Sequence, residues 1–334
     1  MDKLDGSFNP NISQETFISL QDDLAYGFVV ALVVMSALNV ILHSIGTFLC
    51  FEVYKRQTNN SIQILYLLNL SITQTLASIV VLIDESSELI YDKMEITKRR
   101  TVLTLQELDV YLYIIIYVLF CVYYVDMIVI TLNRFFEVYL SIRYPVYWNI
   151  TKSKYLLCVV WMMCVCTCVT MSVIYRFNHF NYHFLFTEIV SPLFNVLFLI
   201  IAFVSYVYIF HQFRRSRTRF PSIRSVSTEK RESIYTTLRN SNFHLCALLV
   251  GSFIIFVVAP NLPYLFHSWA GAERSHAAKD AIKVSYQMSF LVDFVIYVIM
   301  QADVRCLCLK KLRKCWCFKQ RKSDNVVESQ TSFL

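Results

Sequence analysis

Residues Val129 to Trp148 read VITLNRFFEVYLSIRYPVYW. The stretch begins as an apolar run and is broken by Asn133, Arg134 and Phe135. Arg143-Tyr144-Pro145 follows nine residues after the first arginine. A lone arginine closing an apolar helix has two readings. It is an interfacial anchor whose stem lies in the apolar layer and whose head reaches water, or it is a charge held in place until something moves it. The remainder of the chain bears on the choice.

Hydrophobic residues make up 56% of the 334 positions and charged residues 16%. Ordinary soluble domains carry about a quarter charged residues. Mean hydropathy is +0.49. This is the composition of an integral membrane protein. A hydrocarbon layer about 30 Å thick takes roughly 20 apolar residues per helix. Seven stretches meet that length: Ala25–Phe51, Ile62–Ile83, Val110–Phe136, Tyr155–Tyr175, Phe184–Gln212, Phe243–Ser268 and Ala281–Gln301. None shows the strict alternation of a membrane barrel strand, so they are read as helices. Residues 1–24 are polar and acidic, and the first helix is expected to act as its own targeting signal.

Lysine and arginine give the orientation. With the N-terminus outside, 22 of the 31 basic residues fall on the inner segments and 9 on the outer ones. The expectation is a plasma-membrane protein with its N-terminus extracellular and its C-terminus cytoplasmic. The net charge of +7 then reflects topology and attraction to anionic lipid, not nucleic-acid binding. The expected fold class is an all-α membrane protein, a seven-transmembrane-helix bundle with a short amphipathic eighth helix. The chain divides into an extracellular N-terminus (1–24), a membrane domain (25–301), and an amphipathic helix with cytoplasmic tail (302–334).

Two connections are long. Asp84–Asp109 is polar, faces outside and extends the ends of the second and third helices. Residues 213–242 form a basic, Ser/Thr-rich inner loop. Pro192, Pro260 and Pro263 each remove a backbone donor and are candidate kinks. After the seventh span, ADVRCLCLKKLRKCWCFKQRK interleaves apolar and basic residues at near-helical spacing. That pattern suits a helix on the inner membrane surface. Its Cys306, Cys308, Cys315 and Cys317 are palmitoylation candidates, and their C-x-C spacing does not suit zinc. All 11 cysteines lie in spans or inner segments, so no extracellular disulfide is expected.

These features together resemble a rhodopsin-like G-protein-coupled receptor, over roughly residues 25–317. Asn133, Arg134 and Phe135 stand where that family carries D/E-R-Y/W. Trp161 falls at its fourth-helix tryptophan. LLNLSITQ resembles N-L-A-x-A-D, with Gln74 at the acid position. DFVIY resembles N/D-P-x-x-Y, keeping Asp293 and Tyr297 and replacing the proline by Phe294. NLPY resembles W-x-P-Y, with Asn261 at the tryptophan. Pro260 offers a competing alignment that puts Val258 there. The first helix lacks a clean G-N pair, and Asn39 and Thr47 both remain candidates for the asparagine.

The resemblance implies coupling to a heterotrimeric G protein through Arg134, with Tyr206, Tyr208 and Tyr297 entering its surroundings when the helices rearrange. Asn133 is neutral and resembles a protonated acid, so the expectation is a loosened switch with raised basal signalling. Gln74 is uncharged, so the family's sodium site is expected to be lost or to depend on Asp293 alone. Asp126 is a second buried acid, paired to a polar neighbour or protonated. The third-helix position that is aspartate in amine receptors is Ile116, which disfavours an amine ligand. Gln287 stands at the retinal-lysine position, which disfavours light sensing. Glu188, Asn261, Lys283 and Tyr286 are the candidate ligand-pocket groups, and the extracellular ligand is unidentified.

The histidines scatter and form no metal set. There is no nucleotide loop, so no enzyme activity, cofactor or metal is expected. The alternative reading is a seven-helix transporter or channel, or a receptor-like membrane protein that does not couple. Transporters of that kind carry inverted repeats and broken helices, and neither is visible. Asn11 opens an outer-face glycosylation sequon. The terminal Ser332-Phe333-Leu334 resembles a ligand of PDZ domains.

Overall fold

The computed structural model describes residues 10–56, 62–94, 99–140, 144–178, 190–219, 244–261 and 276–311, with side chains over 26–56, 62–87, 110–140, 144, 147–176, 190–212, 244–261 and 282–311. Among the described residues there is no strand. The helices are α1 (Pro10–Arg56), α2 (Ile62–Met94), α3 (Arg99–Leu140), the short α4 (Tyr144–Tyr147), α5 (Ile150–Asn178) and α6 (Ser191–Arg219). They continue with α7 (His244–Asn261), α8 (His276–Met300) and α9 (302–311). Seven of them are long and apolar enough to cross a membrane. Each overlaps one of the stretches expected from hydropathy. The helix begins earlier than the first apolar span, because α1 already starts at Pro10.

Burial ranks the helices. In its most apolar window α3 is 67% buried, whereas α5 is 6% buried. The third helix is therefore the pillar of the bundle, packed against α2, α5 and α6, while α1 lies against α2 and α8. Most of α5 turns outward and shows Tyr155, Val159, Met162, Met163, Val165 and Val169. In water that would be a liability, but in lipid these side chains meet a solvent as apolar as themselves.

Pro192 is the second residue of α6, and Val190 just before that helix is already in a wider π turn. Pro260 lies in the last turn of α7, directly after a π turn at Ile254–Val258 that is closed by the Ala259 N–H on Ile254 O. The wider turn accommodates a ring that cannot donate and that would crowd an α-helical carbonyl. Pro263 lies outside the described residues.

The polar segment after the second span does extend α2 and α3, as expected. Asp84 and Glu85 of α2 are buried among the helices. At the opposite end, which carries the basic loops, Val304 and Leu307 of α9 are buried against Leu49, Cys50, Val53 and Tyr297.

Candidate functional site

The site begins at the basic end of α3. Arg134 is 7% exposed, too buried for an anchor reaching into water. Its Nη1 is ion-paired with Glu137, one turn further along the same helix. Its Nε donates to Cys246 Sγ on α7 at 3.2 Å, while Nη2 is buried with no hydrogen-bond partner. The arginine thus bridges α3 and α7. Asn133 does not touch it through a hydrogen bond. Its Oδ1 accepts from the Tyr144 hydroxyl of α4, and burial, with the Glu137 carboxylate nearby, pushes that hydroxyl up so that it stays protonated and donates. Asn133 forms no ion pair with Arg134, as its neutrality requires, but a carboxylate does. The acid stands three residues after Arg134, not one before.

Aromatic rings close the surroundings. Phe135 stacks on Tyr139 with centroids 5.7 Å apart and meets Tyr208 edge-on at 5.2 Å. Tyr206 of α6 stands beside Cys246 and Arg134. Tyr297 is not among them. It is fully buried near α1 and α2, where its hydroxyl lies 3.3 Å from Ser71 Oγ and 3.4 Å from His43 Nδ1.

A second polar group sits mid-bundle. Asp293 of α8 accepts from Gln74 Nε2 at 2.8 Å and from the Tyr123 hydroxyl at 2.6 Å, both on Oδ2. Its Oδ1 accepts from Ser252 Oγ at 2.7 Å. Both carboxylate oxygens are thereby taken by neutral donors from α2, α3 and α7. The expected proximity of Gln74 and Asp293 is found, and Tyr123 and Ser252 are added to it.

Asp126 belongs to a third group. It accepts from Asn69 Nδ2 at 2.7 Å and Thr73 Oγ1 at 2.9 Å, so it is paired as the first of its two readings has it. Asn69 Oδ1 in turn accepts from the Trp161 indole of α5 at 2.8 Å. One amide therefore ties α2, α3 and α5 together.

Helix α1 is fastened to α8 by side chains on backbone carbonyls. Asn39 Nδ2 donates to Gln287 O at 2.9 Å and Gln287 Oε1 at 2.7 Å. His43 Nε2 lies 2.9 Å from Phe290 O. Thr47 donates to Ser71 Oγ at 3.0 Å. Asn39 and Thr47 both make helix-to-helix ties, and His43 between them makes another.

At the far end, the proposed pocket groups are engaged with the bundle itself. Lys283 Nζ reaches Glu85 Oε1 at 2.6 Å and Asp84 Oδ2 at 3.2 Å, beneath the Tyr113 ring at 4.8 Å. The Tyr286 ring stacks on Phe120 at 4.1 Å, and its hydroxyl donates to Tyr124 at 3.0 Å. Asn261 Nδ2 turns back onto Val257 O at 2.6 Å. Glu188 lies outside the described residues.

On α9, Cys306 is exposed and Cys308 half-buried. Cys315, Cys317 and the C-terminal residues lie outside the described residues, as does the side chain of Asn11. Among the described residues no group of three or more His, Cys, Asp or Glu could hold a metal ion. Glu137, Cys246, Tyr123, Ser252 and His43 are the site residues that the motif pattern does not single out. Only Glu137 carries a local signal, its i+3 spacing from Arg134. No family model matches this chain, and no curated protein does.

Proposed function

We propose that this chain is a divergent rhodopsin-like receptor that passes an extracellular signal to a heterotrimeric G protein. The observation that carries the reading is the buried Arg134, which joins Glu137 on its own helix to Cys246 on α7. A charge buried at a helix end is costly without partners. Movement of α7 takes one partner away and exposes the guanidinium at the basic end, where a cytosolic protein can meet it. The basal level is then set by Glu137 and Cys246, not by the neutrality of Asn133.

In this reading the N-terminus is extracellular, the basic loops are cytoplasmic and the membrane is the plasma membrane. Residues 302–311 form the amphipathic eighth helix. Val304 and Leu307 point inward and Arg305 and Lys310 are exposed, and in this reading Cys306, Cys308, Cys315 and Cys317 take the palmitoyl groups. Asn11 carries a glycan, and the C-terminus offers itself to a PDZ domain. The ligand enters from the end of Lys283. It either displaces the lysine from Asp84 and Glu85 or binds above the three.

The test is second-messenger output from cells expressing the chain beside Arg134→Ala, with surface amounts matched. A baseline above mock that falls in the variant supports coupling. Ion flux across the membrane that is insensitive to Arg134 overturns it in favour of a transporter or channel.

A further inference from the structure

Asn39 of α1 and Gln287 of α8 form one half of an amide pair. The Gln287 backbone oxygen can only accept, so the Asn39 atom 2.9 Å from it is the nitrogen. The same Nδ2 gives its second proton to Gln287 Oε1 at 2.7 Å. Ser78 Oγ of α2 also donates to Oε1, at 3.1 Å. These bonds fix the orientation of both side-chain amides. The other half of the pair is not closed. Among the described residues Asn39 Oδ1, an acceptor, and Gln287 Nε2, a donor, have no hydrogen-bond partner. Ser36 Oγ, one turn from Asn39 on the same face of α1, has none either.

Ser36, Asn39, Ser78 and Gln287 are all fully buried, so bulk water does not serve these atoms. Polar groups in such a place are costly to leave unmet, and three of them gather on two facing helices. Their chemistry selects what completes them. A carboxylate only accepts, so it suits Nε2 and repels Oδ1. An ammonium only donates, so it suits Oδ1 and repels Nε2. Either would also bring a charge among neutral side chains. A hydroxyl does both with one oxygen. It accepts from Gln287 Nε2, gives its proton to Asn39 Oδ1 and has a lone pair left for Ser36 Oγ. Three polar partners are enough to hold it.

We propose that Ser36, Asn39 and Gln287 form a binding site for one neutral hydroxyl group. The site lies one turn inward of Lys283 on α8 and one turn outward of Gln74 on α2. The hydroxyl comes from an internal water molecule or from the head of an apolar alcohol lodged between α1 and α8, where Val34, Leu38 and Met288 face outward. The site goes beyond the receptor reading and holds whether or not the chain couples to a G protein.

A density map of the full chain in detergent, fine enough to show ordered water, tests it. Density is expected within hydrogen-bond distance of both Asn39 Oδ1 and Gln287 Nε2. A single-atom peak assigns water, and density running on toward Leu38 assigns an alcohol. Nε2 closed directly on Oδ1 overturns the site. Thermal unfolding gives a second readout, through its sign. If Ser36 holds the hydroxyl, Ser36→Ala lowers the melting temperature by about 2 °C. An unchanged or higher value means that the serine oxygen is merely buried, and overturns the site. Dodecanol, dodecane and dodecylamine separate the two sources. For an alcohol site dodecanol alone raises the melting temperature, by about 2 °C or more, and the rise is lost in Gln287→Met. For a water site none of the three raises it. A rise with dodecylamine that is lost in Gln287→Met overturns the neutral class.

Discussion

Lys283 on α8 and Glu85 on α2 are buried and joined at 2.6 Å. With Asp84 they form a buried ionic tie between α2 and α8 at the far end of the bundle. Removing one member of a buried pair leaves the other charge desolvated, which costs about 3–5 kcal/mol. Lys283→Met is expected to lower the stability of the detergent-solubilised protein by that order, read from thermal unfolding. Adding Glu85→Gln to it should recover part of the loss, and a double variant less stable than the single one would speak against the tie.

Glu137 is the acid that pairs with Arg134. Its side chain is 39% exposed, so solvent screens the pair and its worth is about 1 kcal/mol. Glu137→Gln should therefore raise ligand-free second-messenger output roughly fivefold. Asn133→Asp should do less, since Asn133 is already occupied by Tyr144. A larger effect at position 133 than at 137 would return the switch to the earlier position.

Asn69 serves two partners at once, Trp161 and Asp126. Asn69→Leu leaves an indole donor and a carboxylate oxygen in the interior without that partner. Each unmet group costs about 1–3 kcal/mol. The melting temperature should fall more for Asn69→Leu than for Trp161→Phe, which removes only the donor. The opposite order would mean that packing of the ring, not the amide bridge, holds α5 in place.

Sodium should be without effect. Asp293 is the carboxylate nearest Gln74, and its two oxygens already accept from Gln74, Tyr123 and Ser252. Melting curves in sodium chloride and in N-methylglucamine chloride should superimpose. A stabilisation specific to sodium would show that the ion displaces one of these donors.

The apolar helices were legible because length and hydropathy decide them, and the seven stretches overlap the seven spans. The order of motif positions also brought the right neighbours together at Gln74 and Asp293. Other relationships depend on how helices face one another, which a sequence does not display. Cys246 reads as one more small apolar residue until α7 lays it against Arg134. His43 reads as a stray histidine until Phe290 and Tyr297 flank it. The acids of DESSE read as a polar outer extension of the second helix because charge density is high there. Two of them turn inward only because Lys283, 198 positions further on from Glu85, arrives on the facing helix. Tyr297 was expected near Arg134, but that reading describes a rearranged bundle, and here the tyrosine stands beside Ser71 and His43.

The π turn at Ile254–Val258 has a consequence for ancestry. A single π turn is the trace of one extra residue lodged within an α-helix. Removing one residue there would restore regular winding and leave the faces beyond it nearly where they are, because the wide turn absorbs the extra residue. The stretch from Cys246 to Phe253 and the stretch from Ala259 to Asn261 therefore follow different registers. Any lineage comparison of α7 with an unbroken helix needs a one-residue gap between Phe253 and Ala259.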